Sequence, residues 1–488
     1  MVTSYLVCPR HKNMVVIKKN FGVCWQLFRN QLLQSRHASS STTPFRSAPK
    51  THLRHSYIHC PGATPLTSAT LGQVIDRAAY DYSSTEALVF VHQDIRKTWL
   101  QVKQEADRLA NSFLSLGLER GDRLGIWATN LYEWQLTQYA AAKAGLALVN
   151  VNQAYQTNEL EYCLKKVGIR TLVAADGFKT SDYYAMLSEL LPELANGEPN
   201  VPLQIRSERL PQLRDIVMIT QERKRGVLRF DDLLDAGKES LSGELERRQA
   251  QVDCDDPCSI QFTSGTTGLP KGATLTHHNV VNNMLMMAGR VGFDAGGARI
   301  CMSVPLYHCF GCVGGSVMAP LHGNTLVFPS PVFNATASLQ ATQDERCTHM
   351  YGTPTMFVDM VNLPELERLD LSTLRSGLVA GAPVPFHLME AMISKLGMQN
   401  SVVAYGLTET SPLLTVGFPS DDVEHRCGTV GYPLDHCELK VVDESGQIAP
   451  PNTPGELCAR SYSTFLGYWD DAEKTRASLT PQRWFLTG

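Results

Sequence analysis

The chain reads as an α/β protein built around parallel sheet, and three observations predict this. Short apolar runs of strand length alternate with longer runs of helical spacing over most of its 488 residues, the signature of repeated βαβ units. The helical runs stop at glycines, as at Gly117, Gly145 and Gly168, where a left-handed residue ends a helix at no steric cost. Near Gly428 the alternation gives way to strand-like runs only.

Residues 87–92 predict a strand, with Lys97-Thr98-Trp99 returning beside it. Val102, Ala106, Leu109, Phe113 and Leu116 then fall on one helical face across 100–116. A strand at 123–127, a helix at 134–144, a strand at 146–151, a helix at 159–167 and a strand at 171–174 continue the series. Polar connections follow at 195–211 and 221–226. Residues 259–262 form a short apolar run, and 279–291 and 385–396 have helical spacing. Strands are expected at 300–304, 325–328, 377–380 and 402–405, and then at 438–442 and 456–460 around a Glu444-Ser445-Gly446 turn. This divides the chain into a head at 1–57, an α/β region at 75–427 and a β-rich region at 428–488.

Composition narrows the function. A content of 43% hydrophobic and 19% charged residues is that of a globular protein, and no run of 18 uncharged apolar residues predicts a transmembrane segment. The net charge of −4 conceals an asymmetry: residues 1–75 hold nine Lys or Arg and no acid, leaving 35 bases against 48 acids in the remainder. The head is rich in Ser and Arg and lacks the unbroken apolar core of a secretory signal. It reads as a mitochondrial transit peptide or, more blandly, as a disordered basic tail. An acidic remainder argues against nucleic acid as a partner. Thirteen cysteines include one Cys309-x-x-Cys312 spacing without a second such pair, so small buried thiols are expected rather than a metal site.

The densest chemistry lies in Thr263-Ser264-Gly265-Thr266-Thr267-Gly268-Leu269-Pro270-Lys271-Gly272. Glycines let a backbone pass close to phosphate oxygens, hydroxyls add donors, and Lys271 adds a mobile point charge. The P-loop pattern is excluded, since Lys271 lies between Pro270 and Gly272 with no hydroxyl residue after it. An ordinary surface loop of small polar residues remains the bland alternative.

This stretch resembles the phosphate-binding signature of the adenylate-forming superfamily, which includes the acyl-CoA synthetases. Pro305-Leu306-Tyr307-His308-Cys309-Phe310-Gly311, Val379-Ala380-Gly381-Ala382-Pro383, Tyr405-Gly406-Leu407-Thr408-Glu409 and Gly455-Glu456-Leu457 resemble its further motifs, in the same order. The wording of 351–359 and 452–458 is most similar to mitochondrial acyl-CoA synthetases of medium-chain type.

The resemblance implies two stacked α/β subdomains with mostly parallel sheets plus a small β-barrel. It implies an AMP-forming ligase in the mitochondrial matrix that joins a fatty acid to coenzyme A through an acyl-adenylate, with ATP and Mg2+. Thr263 to Lys271 would hold the β- and γ-phosphates, and Glu409 the magnesium. Thr408 would meet the α-phosphate, and Gly381, Ala382, Pro383, Tyr405 and Gly406 the adenine side. His308 would border the carboxylate, and Phe310, Met356, Val379 and Leu407 would line the acyl pocket. Simpler readings stand beside these: Glu409 as a solvated acid, Tyr405 as a core residue, His308 as an interior histidine satisfying one hydrogen bond. Relatives continue beyond the point matching Thr487-Gly488 into a C-terminal lid domain that supplies a lysine to the reaction. The sequence therefore leads us to expect that the lid is absent and catalysis impaired, with binding of ATP or acyl ligand without turnover as the alternative.

Overall fold

The computed structural model describes residues 53–201, 204–237, 243–263 and 268–488. The basic head therefore lies outside the described residues except for 53–57. Of these, Tyr57 opens the strand Tyr57–Cys60, and Ser56 donates its N–H to the Ala449 carbonyl at 3.0 Å.

Two large sheets carry the α/β region. The first has eight strands in the spatial order Leu228–Arg229, Asp215–Ile219, Thr171–Ala175, Arg123–Trp127, Ala147–Asn150, Pro257–Thr263, Lys271–Thr276, Gly467–Tyr468. The first six run parallel, and the last two pairings are antiparallel. The second has nine, ordered Tyr432–Pro433, Leu413–Val416, Val402–Gly406, Ser376–Val379, His349–Gly352, Arg299–Met302, Thr325–Phe328, Glu86–Phe90, Ile95–Thr98, and is parallel through its six central members. Central strands such as Ala147–Asn150 and Thr325–Phe328 are buried along their whole length, so they read as unbroken apolar runs rather than alternating ones.

Helices form where the sequence supplies both a cap and an apolar stripe. Thr98 accepts from the Gln101 N–H while Gln101 reaches back to the Thr98 N–H, so the helix Trp99–Ser115 starts one residue earlier than expected and Trp99 leaves the returning strand. Thr276 and Asn279 cap His277–Val291 in the same way. Elements that the spacing did not reveal include the helices Leu71–Asp81, Ala335–Asp344 and Pro354–Val361 and the strands Asp215–Ile219 and His349–Gly352.

The expected small barrel is corrected to an open sheet. Tyr57–Cys60, Cys437–Val442, Glu456–Ser461 and Phe485–Leu486 form a four-stranded antiparallel ladder in that order. Its outer members have four and two residues, too few to tilt and pair around a closed cylinder.

Candidate active site

A cleft of about 1470 Å³ opens where the carboxyl ends of parallel strands from both large sheets converge. Open parallel sheets offer ligand sites at these ends, because the loops leaving them turn toward the same side. Asn150 and Thr263 reach it from the first sheet. The loops after Arg299–Met302, Ser376–Val379 and Val402–Gly406 reach it from the second, and Leu486, Thr487 and Gly488 from the small sheet.

One side is built on a hairpin. Thr263 and Lys271 face each other across the antiparallel pair Pro257–Thr263 and Lys271–Thr276, so the glycine- and hydroxyl-rich loop is the connection between them. Ser264, Gly265, Thr266 and Thr267 lie outside the described residues. At the base of the loop a chain of polar contacts crosses the cleft. Lys271 Nζ donates to Tyr468 Oη at 3.1 Å and sits 4.4 Å from the centre of its ring. Tyr468 O–H donates to Glu409 Oε1 at 2.8 Å, and Thr263 O–H donates to the same oxygen at 3.2 Å. Burial, and then the Glu409 carboxylate, raise the Tyr468 phenol above its ordinary range, so it stays protonated and serves as a donor.

Glu409 is only 6% exposed, and its carboxylate is met by hydroxyls with no cation within ion-pair distance among the described residues. Its backbone is fixed by the turn Thr408–Thr410. The Leu407 N–H donates to Thr410 Oγ1 at 2.9 Å, and the Phe465 N–H donates to the Glu409 carbonyl at 2.9 Å. The turn also demands Gly406: a Cβ there would lie 1.8 Å from the Pro412 carbonyl oxygen.

The opposite wall is 307–310. Asn130 pins it by donating to the Val304 carbonyl at 3.0 Å and accepting from the Leu306 N–H at 2.7 Å. His308 caps the short turn Cys309–Cys312, with Nδ1 accepting the Phe310 N–H at 3.2 Å. Its ring faces the cleft solvent yet is hemmed in by protein. The Cys309 thiol, 3.6 Å from Nδ1, holds the imidazole above its ordinary range. Burial works to raise that thiol, but His308 and Thr408 outweigh it and the thiol titrates below its ordinary range.

The cleft thus brings together Thr263, Lys271, His308, Phe310, Gly381, Ala382, Pro383, Tyr405, Gly406, Leu407, Thr408 and Glu409. Tyr405 both lines it and packs against Leu414, Leu439 and Ala459. Gly268, Leu269 and Pro270 are not on its wall: Leu269 is 55% exposed, and the Pro270 carbonyl accepts from Tyr162 O–H at 3.1 Å. Two expected pocket residues do not line this cleft. Val379 is a fully buried strand residue within the core cluster that includes Met350, Phe357 and Met389, and Met356 packs onto that same cluster. The pleat turns alternate side chains to opposite faces, and Val379 falls on the core side.

Sequence reasoning passed over Tyr468, Asn130, Asn150 and Thr487. Gly467-Tyr468-Trp469 was the available signal for the first, a glycine ahead of two aromatics at the end of an apolar run. The Cys309-Cys312 spacing has a local use. Cys312 Sγ accepts from the side-chain amides of Asn150 at 3.2 Å and Gln261 at 3.3 Å, tying the short turn to two strands of the first sheet.

The family described as "AMP-binding enzyme" matches residues 75–469. The chain belongs to that family. It is 44% identical over 438 residues to the mitochondrial medium-chain acyl-CoA ligase ACSF2 of Danio rerio, covering 89% of this chain and 72% of the relative. The Homo sapiens protein of the same name is 43% identical, with 89% and 71% covered. Among solved structures, the anthranilate CoA ligase AuaEII in complex with anthranoyl-AMP superposes with a TM-score of 0.76 at 26% identity, covering 87% of this chain and 75% of that one. The N-terminal domain of FACL13 from Mycobacterium tuberculosis shares the fold at a TM-score of 0.72 and 22% identity, with 86% and 96% covered. The expected α/β class and the expected AMP-forming ligase of the acyl-CoA synthetase kind are borne out by these matches.

Proposed function

We propose that the chain activates a medium-chain fatty acid with ATP and passes it to coenzyme A, in the mitochondrial matrix. The acid's carboxylate attacks the α-phosphate, giving acyl-adenylate and pyrophosphate, and the thiol of coenzyme A then displaces AMP. Two anions have to meet and a third has to leave, so the site must hold positive charge and donors that the protein itself does not neutralise.

The polar chain Lys271–Tyr468–Glu409–Thr263 at the mouth of the hairpin loop is the observation that carries this reading. Lys271 would meet the outer phosphates, and Thr408 the α-phosphate. Gly381 to Pro383 and Tyr405 would seat the adenine. His308 would border the carboxylate beside Phe310 and Leu407. A magnesium ion fits Glu409, because a hard cation on phosphates takes one or two carboxylates, and this one is buried, hydroxyl-flanked and unpaired with any cation among the described residues. The ion's contribution would be to offset phosphate charge. Apolar lining favours methylene chains at about 0.8 kcal/mol per buried group. The names of the mitochondrial relatives support both the acid class and the compartment. No helix among the described residues is long and apolar enough to cross a membrane, in keeping with small-molecule substrates in water. Nothing in the cleft favours the binding-only alternative.

Pyrophosphate exchange into ATP, measured with acetate, octanoate and palmitate in turn, tests the proposal. Exchange strongest with octanoate supports it, and a flat response across the three acids contradicts the medium-chain assignment. Octanoyl-CoA formation on adding coenzyme A completes the test.

A further inference from the structure

Cys309 and Cys427 both line the cleft, and of the two Cys309 is the one in contact with His308 and Thr408. Cys301, Cys347 and Cys437 are core residues, and Cys312 serves as an acceptor for two amides. Cys309 lines the cleft, with its sulfur 3.6 Å from His308 Nδ1 and 3.6 Å from Thr408 Oγ1. In the function proposed above, on which this inference rests, His308 borders the acid's carboxyl carbon and Thr408 the α-phosphate. The bond of the mixed anhydride that breaks lies between those two groups. A sulfur in contact with both therefore sits beside the carbon that leaves AMP.

We propose that Cys309 is an acyl-accepting thiol: when coenzyme A is not at hand it takes the acyl group from the bound adenylate, giving an enzyme-linked thioester. The sulfur forms a bond to the acyl carbon, and the bond from that carbon to the phosphate oxygen breaks. AMP departs with the electron pair. The thiol proton passes through the Thr408 hydroxyl, 3.6 Å from the sulfur, to the phosphate oxygen that leaves with AMP. No oxidant, reductant or further co-reactant enters. The proton does not go to His308 Nδ1, whose lone pair already accepts the Phe310 N–H. Thioester formation at a cysteine beside the bond that breaks follows the general logic of covalent catalysis. Cys309 itself is only 2% exposed, so its sulfur is shielded from bulk solvent.

The test uses the full chain with synthetic octanoyl-adenylate and no coenzyme A, read by intact mass and peptide mapping. The expected result is one added octanoyl group on the peptide containing Cys309, released by neutral hydroxylamine and missing in Cys309→Ser. Circular dichroism checks that the variant folds. If it does not, wild-type protein is alkylated with iodoacetamide, and octanoyl-adenylate must protect Cys309. No adduct, an adduct mapped elsewhere, or an equal adduct in a folded Cys309→Ser each overturns the inference. Pyrophosphate exchange on the same preparation separates the failures. Exchange without an adduct removes the acyl-thiol alone, whereas loss of both removes the ligase reading as well.

Discussion

Two kinds of charged cluster lie in this molecule, and their contrast shows what the cleft is for. In the first kind the charges close on one another. Lys143, 2% exposed in the helix Tyr132–Ala144, pairs with Asp76 and with Asp107 at 3.0 Å, and Glu345 accepts from Arg96 at 2.8 Å and from Arg299 at 2.9 Å. Such clusters join elements distant in sequence and leave no charge in need of a partner. In the second kind, Lys271 and Glu409 are separated by a phenol and end on hydroxyls, with neither neutralised by an opposite charge among the described residues. A buried carboxylate without a cation is costly unless a ligand completes it. The protein closes the charges that hold its fold and leaves open those that face the cleft.

Removing charge from each kind should therefore fail in different ways. Glu409→Gln should lower octanoate activation about 10²–10³-fold, the loss typical of one preorganised electrostatic group, with little change in melting temperature; steady-state exchange kinetics and calorimetry read the two together. Lys143→Met should do the reverse, destabilising the fold by about 2–3 kcal/mol by chemical denaturation while kcat/KM of the folded fraction holds. That is below the about 3–5 kcal/mol for removing one partner of a fully buried pair, since both aspartates keep part of their surface in water. Lys271→Met should weaken kcat/KM for ATP by about 1.5–3 kcal/mol, the worth of a hydrogen bond to a charged group, again without a stability change.

The smallest effect concerns pH. Burial pushes His277 down from 6.5 to about 4, and its Nδ1 accepts the Leu71 N–H at 3.2 Å where the helix Leu71–Asp81 begins. Between those two values the unfolded chain binds a proton that the folded chain refuses, so stability falls as pH falls through that window, by at most about 1.4 kcal/mol per unit. His277→Asn keeps an acceptor but no titrating group, and should flatten this part of the melting-temperature profile.

Much of the fold was legible because its strands and helices differ in period. The strands Arg123–Trp127 and Thr325–Phe328 fall on their expected residues, and the helix Phe386–Leu396 within one. Burial on all sides defeats this signal. His349–Gly352 mixes polar and apolar residues yet is buried throughout. Leu71–Asp81, by contrast, carries a readable stripe of Leu71, Val74, Ile75, Ala78 and Ala79 behind its Thr70–Gln73 cap and was passed over. The small sheet was read as a barrel because strand content says nothing about closure, which depends on pairing between its outer strands. In the site, contiguous motifs were readable: Thr408 and Glu409 share one turn, and 307–310 one wall. Tyr468 was not, since it joins Lys271 to Glu409 from 59 residues beyond the latter and only the pairing of Gly467–Tyr468 with Lys271–Thr276 brings it there. Val379 shows the opposite error, a residue beside a motif whose side chain the pleat sends into the core.

The open cluster is tested most directly by titration calorimetry of ATP into the wild type and Glu409→Gln, each with and without magnesium. The arrangement predicts that magnesium tightens ATP binding in the wild type and that the folded variant loses this dependence. Wild-type binding indifferent to magnesium, or a variant that retains the full effect, would contradict it.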